Sequence, residues 1–427
     1  YHTLALRVAK RECMQRSSNL SRGKLKVNRN AWDKLPGAVF RFSHGAEGID
    51  ELVVRVIDID LGTLTDGEIT VTVMQDIFSL DDVLTDVADP GGGWTAPDTA
   101  PAAAIAQDVM EAPYWQLLGD LGAAETAAQA PGAGYVVPLI GKPTALSTEY
   151  NAWARISPNA YAETLTGAAF APTATLTAAL DRSADSDIDL TAPVDLDLVE
   201  PGWIVVIGTG TAAELCYVAV VDATLAEISI LRARMDTTPQ LHAAGTRVWF
   251  LDASALDWPR IPDEFAAADA VDVKAQTATG AGLLDITAAT AASITLGSRQ
   301  VRPYPPGNIE INGEAHPELL EGALTVTWAH RDRLVQGLTL VSQYDATDYG
   351  PEVGTTYNGL IYDDATDALI ASSSGMTGTS WSPTVTSSGV LRLELEAAPD
   401  GYASWQRQVR TFTFIAEYGM YICQQCG

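Results

Sequence analysis

Apolar and polar residues alternate with a period of two through most of this chain, and Gly, Pro, Asn and Asp cut the alternation into short runs. That pattern predicts strands with one buried face. Leu25–Val27, Val39–Phe42, Glu51–Asp60 and Glu68–Met74 form the first group. Pro36-Gly37 supplies a turn between two of them. Asp66-Gly67 predicts a tight hairpin, because glycine admits the positive φ that such a turn needs. Ahead of these strands, Leu4, Leu6, Val8, Cys13 and Met14 recur among Arg and Lys over residues 3–18. They predict an amphipathic helix that covers an antiparallel unit spanning 25–78.

From Val87 to Pro113 the pattern lapses into Asp89-Pro-Gly-Gly-Gly-Trp94 and a Pro/Ala/Thr stretch. Pro97, Pro101 and Pro113 interrupt every long helical window, so the segment reads as a linker or arm. Short strands resume at Gly134–Pro138 and Tyr150–Arg155. After Pro201-Gly202, Trp203–Ile207, Glu214–Val221, Ala226–Leu231 and Thr246–Phe250 follow at even spacing and predict a small β-barrel. Residues 265–300 return to Ala/Thr-rich β sequence, and Arg302-Pro-Tyr-Pro-Pro-Gly307 is a stiff boundary. Leu324–Ala329 alternates cleanly, and further strands are predicted near 337–342, 355–362, 367–371, 389–396 and 405–415. About seven short strands over roughly 100 residues describe a β-sandwich of immunoglobulin or fibronectin type III kind.

The 427 residues, 47% apolar and 19% charged, therefore make a mainly β, multidomain chain with ample core material. No apolar run approaches the length of a membrane span. The chain begins at Tyr1 without a visible leader, and we read it as the retained part of a longer or processed polypeptide. Net charge is −28, unevenly spread: residues 1–57 hold eleven Lys/Arg against five Asp/Glu, which leaves 15 against 49 in the rest. An acidic body repels nucleic acid and anionic membrane, since such binding uses Lys/Arg to displace counterions. The basic N-terminal segment reads either as a docking surface for an acidic partner or as a solvated helix.

Chemistry-bearing motifs are sparse. Asp185, Asp187 and Asp189 match the start of an EF-hand loop, but Leu190 and Leu196 occupy the turn-glycine and bidentate-glutamate positions, so a solvated acidic loop is expected. His242, beside a glycine turn, reads as a structural hydrogen-bonder. Cys13 and Cys216 read as core or semi-buried thiols. Cys423-Gln-Gln-Cys426 reads as a redox pair, as half of a metal site, or as incidental. Tetrahedral zinc wants four ligands, so a site at Cys423 and Cys426 requires copies meeting on a symmetry axis. No GxSxG, HExxH, P-loop or GxGxxG stands in the required context, and neither an enzyme nor another cofactor is expected. The run His330-Arg-Asp-Arg333, closing the strand of Trp328, is open to three readings: a catalytic edge, a ligand site, or a strand end on which another domain docks.

Several stretches, taken in order, resemble the tail-hub or tail-tip proteins of long-tailed bacteriophages, including the baseplate proteins of gene transfer agents and, more distantly, lambdoid host-specificity proteins. They are Leu25–Arg29 with Leu35–Phe40; Arg55–Gly62 leading into Gln75–Phe78; Pro201–Val206 with His242–Thr246; and Trp328–Arg333 with Gly354–Tyr357 and Ser404–Gln406. The resemblance implies a homotrimeric hub at the distal end of the virion tail. Such a hub closes the tail tube and acts in tail assembly, host attachment and DNA ejection. Its implied partners are copies of itself, other tail-tip and tube proteins and a host surface receptor, with DNA only in transit and no stable membrane insertion in the free particle.

The implied architecture is an antiparallel hub-type β domain with an N-terminal helix (1–86), an arm (87–133), a β segment completing the hub (134–194), a small barrel (195–252), a β segment with a Pro-rich linker (253–307), a fibronectin type III-like sandwich (308–418) and a tail with the CxxC (419–427). Against that family the chain reads as lacking an upstream hub region, and the resemblance implies no role for the terminal CxxC. On this reading Trp328 is a sandwich core residue, and His330, Arg331, Asp332 and Arg333 form an interdomain salt-bridge cluster. Two other classes compete. One is a carbohydrate-binding or receptor-binding β protein that uses Trp381, Tyr402 and Trp405 on one face of the sandwich; the other is a cell-wall hydrolase.

Overall fold

The computed structural model describes residues 20–63, 65, 67–76, 98–253, 258–399 and 401–416. It divides into two compact units, Tyr1–Pro97 and Asp98–Gly427. The predicted helix over 3–18 with Cys13, and Cys423 and Cys426, lie outside the described residues.

The first unit is an antiparallel sheet in the order Arg22–Asn28, Glu68–Gln75, Ile49–Asp60, Val39–His44. Alternation works here as expected: Ile69, Val71 and Val73 point to one face and meet Val54 and Val56, all buried. Each such side chain is worth about 1.5–3 kcal/mol when fully withdrawn from water. Asp66 of the predicted tight hairpin lies outside the described residues, and the outermost pair of the two central strands is Asp60↔Thr70. Arg29 donates to the carbonyls of Leu61 and Thr63, an anchor that turn propensity does not reveal.

The second unit contains three modules. In a platform, Ser147–Ile156 pairs with Ala270–Thr279 on one side and Ala162–Ala168 on the other, while Gln107–Glu111 pairs with Val136–Ile140. Small inward residues, Ala152, Ala154 and Ala275 with Val271 and Val273, pack the sheet closely. From residue 98 onward the expected arm is folded. Besides the strand Gln107–Glu111 it carries two helices, Tyr114–Leu121 and Ala123–Ala128. Pro113 starts the first helix rather than breaking it, because a proline there forfeits no intrahelical bond. Trp115 and Leu117 then anchor it in the core.

The barrel is closed by six strands, in the order Thr173–Leu176, Ile188–Val194, Glu227–Leu231, Glu214–Asp222, Ile204–Ile207, Arg247–Leu251. The four predicted strands are present. The other two come from within 134–194, so that segment is divided between platform and barrel. Alternation identifies a strand but not its partner, and here the partners are distant in sequence. Ile204, Val205, Val206 and Ile207 are all buried because the strand is covered on both faces. Val205 and Ile207 fill the barrel with Cys216, Val218 and Phe250, while Ile204 and Val206 pack with Leu215 and Trp249 against the platform residues Trp115 and Val137.

The last module is a two-sheet sandwich. Gly307–Ile311, Val326–Ala329 and Ser380–Trp381 form one sheet. Leu319–Glu321, Gln408–Ile415, Gly389–Pro399, Thr355–Asp363 and Leu369–Met376 form the other. This is the fibronectin type III arrangement, with a core around Trp328, Tyr357, Ile361, Leu393 and Phe412. One predicted strand is absent. Residues 337–342 follow a single helical turn, Arg333–Gln336, which Asp332 caps and Gly337 ends at φ 54°. No helix among the described residues is long and apolar enough to cross a membrane.

Candidate functional site

Several buried or nearly buried polar side chains lie where the three modules of the second unit meet. Trp328 is buried in the sandwich core, its ring centroid 5.3 Å from that of Tyr357. His330, one residue past the strand, stays inside the same module: its Nδ1 and the Tyr357 hydroxyl are 2.6 Å apart. Burial pushes that phenol above its ordinary range.

Arg331 is buried and makes no ion pair among the described residues. It donates to four main-chain carbonyls, those of His330, Ser342, Asp345 and Thr347, and so gathers the irregular 342–347 loop. Gly307 makes room for it: a Cβ there would fall 2.0 Å from Arg331 Nη2. Asp332 spends its carboxylate on the amides of Leu334 and Val335. Arg333 reaches the platform. It pairs with Glu352 at 2.7 Å, donates to the Gln300 carbonyl at 2.8 Å and lies 4.8 Å over the ring of Tyr114. The expected salt-bridge cluster is thus one ion pair, one carbonyl clamp and one helix cap. The difference arises because a guanidinium's donors suit carbonyls as well as carboxylates.

Ser404-Trp405-Gln406 forms the second joint. Gln406 donates from Nε2 to the carbonyls of Thr211 and Ala213, both at 2.8 Å, and accepts from the Thr238 amide at 2.8 Å. Every one of these partners belongs to the barrel. Trp405 lies against Gly297, where a Cβ would approach its ring to 2.9 Å, and beneath the guanidiniums of Arg299 and Arg302. Arg299 in turn forms a buried two-bond pair with Asp236, at 2.6 and 2.8 Å, and donates to the Glu111 carbonyl at 2.8 Å. The Glu111 carboxylate accepts from the amides of Gly297 and Arg299; burial raises its pKa against that help.

Inside the barrel wall Glu214 is fully buried. It accepts from Arg232 at 2.6 and 2.7 Å, from His242 Nε2 at 3.0 Å and from the Gln240 and Ala233 amides. Burial works against its charge, but the Arg232 and His242 hydrogen bonds prevail and hold the carboxyl down at about 2. His242 is therefore a structural partner, as its place beside a glycine turn suggested. Cys216 is a buried free thiol within reach of the same carboxylate.

Glu111, Glu214, Arg232, Asp236 and Arg299 escaped sequence reasoning. The available signal was weak: a charge opening an apolar strand, in Glu214-Leu-Cys, and Arg232-Ala-Arg234 in an acidic chain. The aromatics Trp381, Tyr402 and Trp405 do not form one exposed face. Trp381 packs on Gly359 and the sandwich core, Trp405 is clamped as described, and Tyr402 is half-buried. Asp185, Asp187 and Asp189 are exposed. Among the described residues no group of His, Cys, Asp and Glu is placed to hold a metal ion.

No protein-family model matches the chain, and no curated protein does. Among solved structures it is similar to the chicken CNTN1 FN1-FN3 domains, at 8% identity over 57% of this chain and 67% of that chain, with a TM-score of 0.18. It is also similar to the BSP domain of a biofilm associated protein, at 8% identity over 94% of this chain and 76% of that one, with a TM-score of 0.16. At these TM-scores neither likeness carries an argument.

Proposed function

We propose that this chain is a structural protein of a bacteriophage tail tip, acting as a homotrimeric hub in tail assembly, host attachment and passage of DNA, without turnover of its own. One observation supports the reading above the others. Two of the stretches that carry the resemblance in the second unit, Trp328–Arg333 and Ser404–Gln406, supply side chains that join the sandwich to the platform and to the barrel, through Arg333 and Gln406. A part that closes a tube needs rigid joints between its modules, and buried donors anchored on main-chain carbonyls provide them. The acidic balance suits a conduit that DNA traverses without adhering to the wall.

Light scattering tests the proposal directly. A concentration-independent trimer is expected, and a clean monomer across a broad concentration range would overturn the hub reading. Imaging of the intact particle with this chain labelled should place it at the distal end of the tail.

A further inference from the structure

A cleft of about 180 Å³ opens between the barrel and the sandwich, lined by Arg232 and Arg234 from one side and His316 and Tyr344 from the other. Its volume lies below the roughly 300–1,000 Å³ of pockets for drug-sized ligands, so its occupant is small. The cations around it are unusual for so acidic a chain. Arg232 is spent on Glu214 and on the carbonyls of Asp181, Ala184 and Gln240. Arg234 is only 6% exposed, donates no side-chain hydrogen bond to any described residue, and its buried Nη1 has no partner. Arg410, 2% exposed, uses Nε on the Ala315 carbonyl and Nη1 on Gln408 and Val409, and its Nη2 is buried without a partner. The half-buried Arg182 beside the cleft leaves Nε unpartnered as well.

None of these three guanidiniums has a carboxylate within ion-pair distance among the described residues. Among the other buried or nearly buried arginines of the unit, Arg232 has Glu214, Arg299 has Asp236 and Arg333 has Glu352, while Arg331 has four main-chain carbonyls instead. A buried guanidinium without an anion is costly, and the cost falls when a ligand supplies the charge. The acidic groups nearby are otherwise engaged or outward. An Asp181 carboxylate oxygen takes the Arg182 amide, Asp345 takes the Thr347 amide, and Asp185 stands exposed at the mouth. Burial, with the charges of Arg410, Arg232 and Arg182, holds His316 down at about 4 despite Asp181, so its ring is neutral near pH 7 and bonds Tyr344 at 2.9 Å. Burial likewise pushes the Tyr344 phenol up.

We propose that this cleft is a binding site for one small oxyanion, a carboxylate or phosphate group, seated on the Arg234 guanidinium within the field of Arg182 and Arg410. The forked donors of arginine match both oxyanions, and exclusion of water strengthens each bond.

The test is calorimetric titration of the full chain with inorganic phosphate, with glucuronate and with neutral glucose, all at constant ionic strength to hold screening fixed. Saturable binding of phosphate or glucuronate but not glucose is expected; which of the two binds more tightly identifies the source as a phosphate group or a sugar acid. Arg234→Met should weaken it by about tenfold or more, the loss of one charge-assisted contact. Arg234→Lys, which keeps the charge but not the fork, should weaken it less. A readout in the unaltered protein stands beside the variants: NMR titration of His316 should show its midpoint rising when phosphate is present, as a neighbouring negative charge favours the imidazolium. Failure of both anions to bind overturns the proposal. So does binding that leaves the His316 midpoint where it was, since the anion then sits elsewhere.

Discussion

Glu214→Gln is the most informative single change, because it is isosteric and removes only charge. It leaves no cavity, yet strands the Arg232 guanidinium, which is 1% exposed. Breaking a buried pair from one side costs about 3–5 kcal/mol. A second route gives a similar figure: a carboxyl held at about 2, against an ordinary 4.5, is worth on the order of 3 kcal/mol. Unfolding of a multi-module unit is not a single transition, so the assay is amide hydrogen exchange resolved along the barrel. Loss of about 3 kcal/mol of protection speeds exchange by roughly 100-fold where exchange runs through barrel opening. The effect should concentrate in Ile204–Ile207 and Glu214–Asp222. Because the folded pKa is depressed, the contribution is present above the ordinary carboxyl value and disappears as pH falls from 4.5 towards 2. The variant should therefore lack the acid weakening that the natural barrel shows in that window. The double variant Glu214→Leu/Arg232→Met should not restore the lost protection, since it leaves His242 Nε2, the Gln240 and Ala233 amides and the carbonyls that Arg232 served without partners. Unchanged protection in those two strands would refute the reasoning.

Two further outcomes follow from the same geometry. Gly307→Ala places a methyl on Arg331 Nη2 and should expel the guanidinium from its four carbonyls, costing about 3 kcal/mol or more; calorimetry should show the sandwich transition moving to lower temperature, and an unmoved transition would count against the clamp. Cys216, whose thiol is pushed up by burial and by the Glu214 charge, should resist iodoacetamide at about pH 8 in the folded chain and react fully in denaturant; rapid native labelling would contradict its placement in the barrel core.

The sheet of the first unit was legible because its strands expose one face, and Ile69, Val71 and Val73 announce themselves by period. Ile204–Ile207 was legible too, as an unbroken apolar run. Thr173–Leu176 was not: four residues carry too little pattern, and its barrel neighbour Arg247–Leu251 lies far along the chain. Over 337–342, Leu338 and Leu340 imitate a strand, but the Asp332 cap and the turn at Gly337 decide the backbone locally. The helices after Pro113 were hidden by counting prolines without asking which end of a helix each occupies. At the site, Trp328 lies in the core and Arg333 crosses to the platform. Arg331 was assigned to the wrong kind of acceptor, since a sequence displays donors but not the direction in which a loop turns its carbonyls. Glu111 and Glu214 look like ordinary surface acids until the fold encloses them.

The joints made by Arg331 and Gln406 have an evolutionary corollary. Most of their bonds end on carbonyl oxygens, which every residue type possesses, so the opposite surface is read for its backbone path and not for its side chains. Within residues 211–213 and 342–347, exposed positions that contribute only a carbonyl, such as Thr211, are accordingly free to change identity over time while the joint persists, whereas Gln343 and Tyr344 are held through their side chains. An inserted or deleted residue there is a different matter, because it moves the acceptors themselves. The prediction for homologous chains is near-zero length variation in those two loops, opposite an arginine and a glutamine that do not vary.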